Sequence, residues 1–456
     1  MKKKVASCVS LGLSLVLMST VLTGCRFGFA SDPDDPNEEV VEEPIDVSID
    51  TFQYDSSLGG TKITLLNSKA EIQVALEKMG AEYEKKSGVH IEVMPVTDDS
   101  PYTKIVSLYN SGNPPTMSIL DTTDVIALAE EKGEDLTNEA WVEEAQGGYL
   151  TEVNGKIYSL PLCIEGRGII YNKSVIEETL GEEFKPESIT TLGQFQAFLD
   201  RLVEAGMERP LSLAKEDWSL GAHNLQYIYE TYDGTSEGAQ EIIESIKEGQ
   251  LDLASYNRMN EFLDAFDVLK AYNVSRKDPL GADYDEMAID LADGKTAFWF
   301  NGNWAWPNLE EAGANNDDVY GFLPYFLNND PEDFANQKIQ GSPSKQVMLD
   351  GQMASDKEKA AAKEFLNWIV YSEIGQQMLV KTCNIIPPFT NNPYEPSDPL
   401  SRDIYKKVHE GKAFNASAIV PNDHWSVLGA AMQKYLAGRS DRQELIDSIQ
   451  TYWDEQ

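Results

Sequence analysis

Between residues 61 and 120 the apolar residues switch back and forth between a period of about two and a period of about 3.6. That alternation constrains the fold more than any other feature of the chain. Lys62-Ile63-Thr64-Leu65-Leu66 is a short apolar strand, and it leads into residues 70–86, where Ile72, Leu76, Met79 and Tyr83 recur at helical spacing. Gly88 stops that helix. Val89-His90-Ile91-Glu92-Val93 alternates as a strand, residues 102–110 form a helix closed by Ser111-Gly112-Asn113-Pro114-Pro115, and 116–120 form another strand. Strand and helix in turn predict an α/β layer on a largely parallel sheet. Further on, 166–171 reads as a strand, and 192–204, 237–247 and 256–270 as helices, the last with Phe262, Phe266 and Leu269 on one side. The second half is more helical, and no repeat of solenoid length appears.

The chain starts Met1-Lys2-Lys3-Lys4 and continues as an apolar run to Leu22, the layout of a secretory signal that is removed. A spanning helix needs about 20 predominantly apolar residues, and Ser7, Ser10, Gly12, Ser14 and Ser19 dilute this run. Leu22-Thr23-Gly24-Cys25 resembles a bacterial lipobox, whose cysteine takes a diacylglyceryl group and becomes the first mature residue. Each buried acyl methylene contributes roughly 0.8 kcal/mol, so a multiply acylated Cys25 would hold the chain at a membrane face. Downstream, Ser31-Asp32-Pro33-Asp34-Asp35-Pro36-Asn37-Glu38-Glu39 and the acidic stretch to Asp50 combine like charges with prolines. Such a segment cannot bury a core. It reads as a solvated tether over 25–58.

Acids outnumber bases 76 to 37, for a formal charge of −39. A nucleic-acid partner needs a basic surface to release counterions, so this balance argues against one. It favours solubility and mutual repulsion. Removal of the leader leaves Cys163 and Cys383 as the only cysteines besides Cys25. At most one bridge can form, and both are expected to be free, buried thiols.

Catalytic and cofactor motifs do not emerge. Gly294-Lys295-Thr296 suggests a phosphate loop, but the required earlier glycine is replaced by Ile289. The histidines His90, His223, His409 and His424 are scattered without metal-ligand spacing, and no G-x-S-x-G elbow occurs. Neither cofactor nor metal is expected. Glycoside hydrolysis needs only two suitably separated carboxylates, so the abundance of acids does not argue for it. Binding requires only shape, stacking and hydrogen bonds.

Aromatic placement is more informative. Trp299, Trp304 and Trp306 crowd into the run 296–307, where 297–300 alternates as a strand and Asn301-Gly302-Asn303 forms a turn. Trp304 would then stand at the strand's exit, where ligand sites of open α/β sheets gather. Its flat face suits the apolar side of a pyranose ring, whereas a place in the core is the alternative for all three tryptophans.

In order along the chain, Gly155-Lys156-Ile157-Tyr158-Ser159-Leu160-Pro161-Leu162-Cys163-Ile164-Glu165 with Ile169-Ile170-Tyr171-Asn172-Lys173 resembles the bacterial extracellular solute-binding proteins of sugar importers, and among them the maltose and maltodextrin binders. Asp293-Gly294-Lys295-Thr296-Ala297, Asn301-Gly302-Asn303-Trp304-Ala305-Trp306, Leu323-Pro324-Tyr325-Phe326, the helix 360–371 and Gly438-Arg439-Ser440 with the helix to Trp453 extend the likeness to the C-terminus. Pro114-Pro115-Thr116 departs from it, because the family usually has an aspartate after the proline. The resemblance implies an α/β, two-lobe periplasmic-binding-protein-like fold (type II) with hinge strands between lobes, closing around ligand. The expected division is 59–162 in lobe 1, 163–295 in lobe 2, 296–345 returning to lobe 1, and 346–456 in lobe 2 with the C-terminal helices.

Site residues carried over by the resemblance are Glu165 beside the hinge, Asp121 and Asp124 after the strand ending at Leu120, Glu71 in the first strand-to-helix loop, Glu216 and Trp218 from the second lobe, and Trp425 as a late stacking ring; Trp304 joins them. Each has a structural alternative: a hinge ion pair for Glu165, an N-cap for Asp121 or Asp124, a helix-dipole role for Glu71, and helix packing for Trp425. The implied function is capture of an oligosaccharide, in the first instance a maltodextrin, by a monomer lipid-anchored on the extracellular face of the cytoplasmic membrane. The membrane subunits of an ABC transporter would be its partner. Another sugar, a polyamine, or a lipid-anchored glycoside hydrolase are the alternatives.

Overall fold

The computed structural model describes residues 50–456 apart from 98–99, 147, 282 and 315–319. The leader, Cys25 and the tether up to residue 49 lie outside the described residues. Among those described, no helix is long and apolar enough to cross a membrane.

The opening strand–helix alternation is present as read. Strands Lys62–Asn67, His90–Pro95 and Met117–Asp121 lie parallel in one sheet, with helices Gln73–Ser87, Pro101–Asn110 and Thr122–Lys132 between or after them. Gly88 caps the first of these helices in the left-handed conformation. The sheet continues through two long antiparallel strands, Ser159–Asn172 and Ile339–Leu349, into the short strands Leu211–Ser212, Phe298–Gly302 and Tyr320–Leu323. The two long strands therefore cross between two lobes.

Only the second half of the first crossing strand was legible as a strand. Its burial is nearly continuous, broken only at Glu165 and Tyr171. A strand covered on both faces loses the alternation that marks a half-buried one, and Pro161, Gly166 and Arg167 further disguise it.

Each lobe has its own core. In the first, Leu65, Met79, Ile119 and Leu160 pack with Phe365, Trp368 and Ile369. In the second, Phe195, Leu211, Phe262, Phe298, Phe300, Tyr325 and Trp453 do so. Burying a large apolar side chain contributes about 1.5–3 kcal/mol. Helix Asp356–Tyr371, expected in the second lobe, completes the first-lobe core, and strand Phe298–Gly302, expected in the first, belongs to the second. The chain changes lobes in mid-strand, where no shift of composition marks it.

The crossing strands stay paired through the hinge, with Ser342 opposite Glu165, Pro343 opposite Ile164, Lys345 opposite Cys163 and Gln346 opposite Pro161. Ser344 is thus an extra residue on one strand and Leu162 on the other, and the two bulges cancel. Cys163 and Cys383 are free and buried, and burial pushes both thiols up to about 12.

Candidate functional site

A cleft of about 940 Å³ opens at the carboxyl ends of the parallel strands, lined from both lobes and the hinge. From the first lobe come Lys69, Glu71, Tyr102, Asp121 and Asp124; the crossing strands give Glu165, Arg167, Ser344 and Lys345; the second lobe gives Trp218, His223, Tyr284, Trp304 and Trp425.

On the first-lobe wall, the loop after strand Lys62–Asn67 is shaped by buried Asn67, whose amide donates to the Lys69 carbonyl (2.8 Å) and accepts from the Lys69 N–H (2.9 Å). Lys69, itself buried, hydrogen-bonds both Glu71 and Glu165, and Ser344 donates its hydroxyl to Glu165. Burial works against ionisation of Glu165, but the Lys69 charge, the two hydrogen bonds and the nearby Lys345 charge hold its carboxyl below the usual range. Asp121 ends its strand and accepts from Lys345, its cross-strand neighbour, at 2.7 Å. Asp124, one turn into the following helix, is buried. Burial, together with the negative charge of Asp121, pushes it up to about 7 against the opposing charge of Lys345.

The opposite wall is aromatic. Trp218 leads into the π-helical turn Ser219–Asn224, which carries His223. The His223 ring centroid lies 5.3 Å from that of Trp218 and 4.6 Å from that of Trp304, and Trp218 lies 5.6 Å from Tyr284. Trp425 sits on helix His424–Leu436, which approaches the turn so closely that a Cβ on Gly221 would come within 2.2 Å of the Trp425 carbonyl oxygen, and one on Gly429 within 2.4 Å of the Asp217 carbonyl oxygen. Only glycine admits this backbone contact, which sets Trp425 beside the turn. Trp304 follows strand Phe298–Gly302 and lies over Gly302, where a Cβ would strike its ring at 2.1 Å.

Behind this wall Arg167 forms an ion pair with Glu230, both almost fully buried, and its Nε donates to the His223 carbonyl at 3.0 Å. Burial raises the Glu230 carboxyl above its ordinary range despite the attraction of Arg167.

Of the expected site residues, the structure gathers Glu71, Asp121, Asp124, Glu165, Trp218, Trp304 and Trp425 around the cleft. Glu216 is not among the lining residues; one of its carboxylate oxygens is buried without a partner, and it is Trp218, two residues on, that reaches the cleft. Trp299 and Trp306 are core. Sequence reasoning missed Lys69, Lys345, Arg167, His223 and Tyr284. The lysines could have been sought as counterions once acids were placed at strand exits; nothing local marks His223.

Asp124 also sets a pH dependence. Its folded pKa lies above the unfolded value, so the stability it contributes is full below about pH 3.9 and is lost as pH rises through about 7. Asp124→Asn should therefore gain more stability relative to wild type at pH 8 than at pH 4.5, as read by urea unfolding at both. A gap between the two proteins that does not change with pH would refute this.

The family model for bacterial extracellular solute-binding proteins matches residues 78–404. The multiple sugar-binding protein of Streptococcus mutans serotype c is 26% identical over 260 residues, covering 55% of this chain and 59% of that protein, so the match spans under two thirds of the relative's length. Among solved structures, the solute-binding protein RafE in complex with raffinose superposes with a TM-score of 0.69 at 19% identity over 87% of this chain and 99% of that one. A chitin oligosaccharide binding protein gives 0.67 at 21% identity over 87% and 98%. Those likenesses carry the two-lobe fold, and the family match, spread over more than half the sequence and across both lobes and the cleft, decides the rest: the chain belongs to the bacterial extracellular solute-binding proteins.

Proposed function

We propose that the chain is the capture component of a carbohydrate ABC importer. Lipid-anchored through Cys25 on the extracellular face of the cytoplasmic membrane, it would act as a monomer that encloses an oligosaccharide, with maltodextrins the first candidates, and presents it to the membrane subunits. The observation that carries this reading is the cleft's asymmetry: aromatic rings on one wall, hydrogen-bonding carboxylates and lysines on the other. A pyranose offers an apolar face and a hydroxyl-bearing edge, so the two walls suit its two chemistries. The names of the relatives, sugar binders by description, point the same way.

The acidic lining does not favour a polyamine, because Glu71 and Glu165 share Lys69, Asp121 holds Lys345 and Glu230 holds Arg167. Those pairings also tie up Asp121 and Glu165, the carboxylates that would have to act beside the raised Asp124 in hydrolysis, which requires one protonated acid and one free carboxylate about the same bond. The discriminating measurement is intrinsic fluorescence titrated with maltotriose, raffinose, chitotriose and spermidine, with reducing ends assayed in parallel. Saturable binding of a saccharide without new reducing ends is expected. A response to spermidine alone would replace sugar by polyamine, and steady release of reducing ends would make the protein a hydrolase.

A further inference from the structure

His223 is a titratable group in the cleft whose chemistry the walls do not use. Its ring is wedged between Trp218 and Trp304, and its backbone is fixed by the Arg167 bond to its carbonyl and by Asn224, whose amide donates to the Ser219 carbonyl at 3.0 Å. The side chain is half-buried, yet neither ring nitrogen has a hydrogen-bond partner among the described residues. His424, buried at the start of the helix that carries Trp425, differs in that its Nε2 lies 3.2 Å from the Tyr229 hydroxyl, while its Nδ1 is buried without a partner. Polar atoms on a cleft wall that no protein group pairs with are free to meet a ligand's hydroxyls once the ligand displaces water.

We propose that His223 reads the ligand's hydroxyls, using one ring nitrogen as donor and the other as acceptor, and so selects which sugar lies against the tryptophans. The proposal rests on the saccharide-binding reading above and deepens it. A neutral imidazole presents one N–H and one lone pair in a single plane. A hydroxyl both donates and accepts, so either nitrogen can be satisfied by an edge hydroxyl of a ring stacked on Trp304. An ammonium group, by contrast, can satisfy only the acceptor. Burial, followed by the positive charge of Arg167, lowers the imidazole pKa to about 3, with Glu165 opposing and Lys345 adding to the shift, which keeps the donor–acceptor form at neutral pH.

The test compares His223→Phe, which keeps a flat ring, with His223→Gln, which keeps a donor and an acceptor, by calorimetric titration with maltotriose, raffinose and chitotriose. For whichever sugar wild type binds best, the Phe variant should lose about tenfold or more in affinity and the Gln variant about threefold or less. In wild type, the His223 ring-nitrogen resonances, assigned by their loss in the Gln variant, should move on saturation with that sugar. Wild-type affinity in the Phe variant, equal losses in both variants, or unmoved resonances would each overturn the role of His223 while leaving sugar capture intact. Wild type binding none of the three sugars would remove both.

Discussion

Replacing Arg167 by methionine is expected to destabilise the protein by about 3–5 kcal/mol, the cost of leaving a buried carboxylate without its partner. Glu230 is 1% exposed and its carboxyl is already held above the ordinary range by burial, with Arg167 the opposing influence. Without the guanidinium, that carboxyl must either stay charged with the Ala418 N–H as its remaining partner or take up a proton. The deficit should therefore be largest near neutral pH and shrink as pH falls towards the ordinary glutamate value of about 4.3, where the unfolded chain is protonated too. Urea unfolding at pH 7 and pH 5 measures both effects. The double replacement Arg167→Met with Glu230→Leu should recover most of the loss, because removing both charges of a buried pair is often close to neutral. A single variant within about 1 kcal/mol of wild type at pH 7 would mean that water reaches Glu230 after all.

The largest effect on binding is expected at Trp304. Truncation to alanine removes the ring that lies over Gly302 and against His223, and should weaken saccharide binding by about 2 kcal/mol, roughly thirtyfold in Kd, with little change in thermal stability because the ring is partly exposed. Gly302→Ala is an independent route to the same result. It leaves the tryptophan in place but drives a Cβ into its ring, so the platform must tilt. Calorimetric titration of both variants decides the matter. If Trp304→Ala binds as wild type does while Trp425→Ala does not, stacking belongs to the other end of the wall.

The sequence announced the first lobe well because its strands are short apolar runs, the edge strand His90–Pro95 half-covered, set between helices whose buried residues recur at helical spacing. Trp304 was singled out by its place just past the Asn301-Gly302-Asn303 turn at a strand exit, and it lines the cleft. The sequence could not announce the hinge. The first crossing strand is buried on both faces, and Lys345 meets Asp121 across more than two hundred residues. Glu216 does not line the cleft while Trp218, two residues on, does, and residue order does not say which of the two a turn presents. His223 was invisible because its role depends on what its nitrogens lack, and an unmet hydrogen bond leaves no trace in a sequence.

The cancelling bulges at Leu162 and Ser344 have a mechanical consequence. Since the register is displaced for a single pair and then restored, the ladder on either side is the one an uninterrupted ribbon would have. Pairing that continues through the hinge in this way is expected to join the lobes as a torsion spring rather than a slack joint, without sideways slip. Such a coupling returns the walls to the same alignment after every excursion. Protection of hinge amides from solvent exchange would be the signature of a spring, and brief loss of that protection the signature of a loose joint.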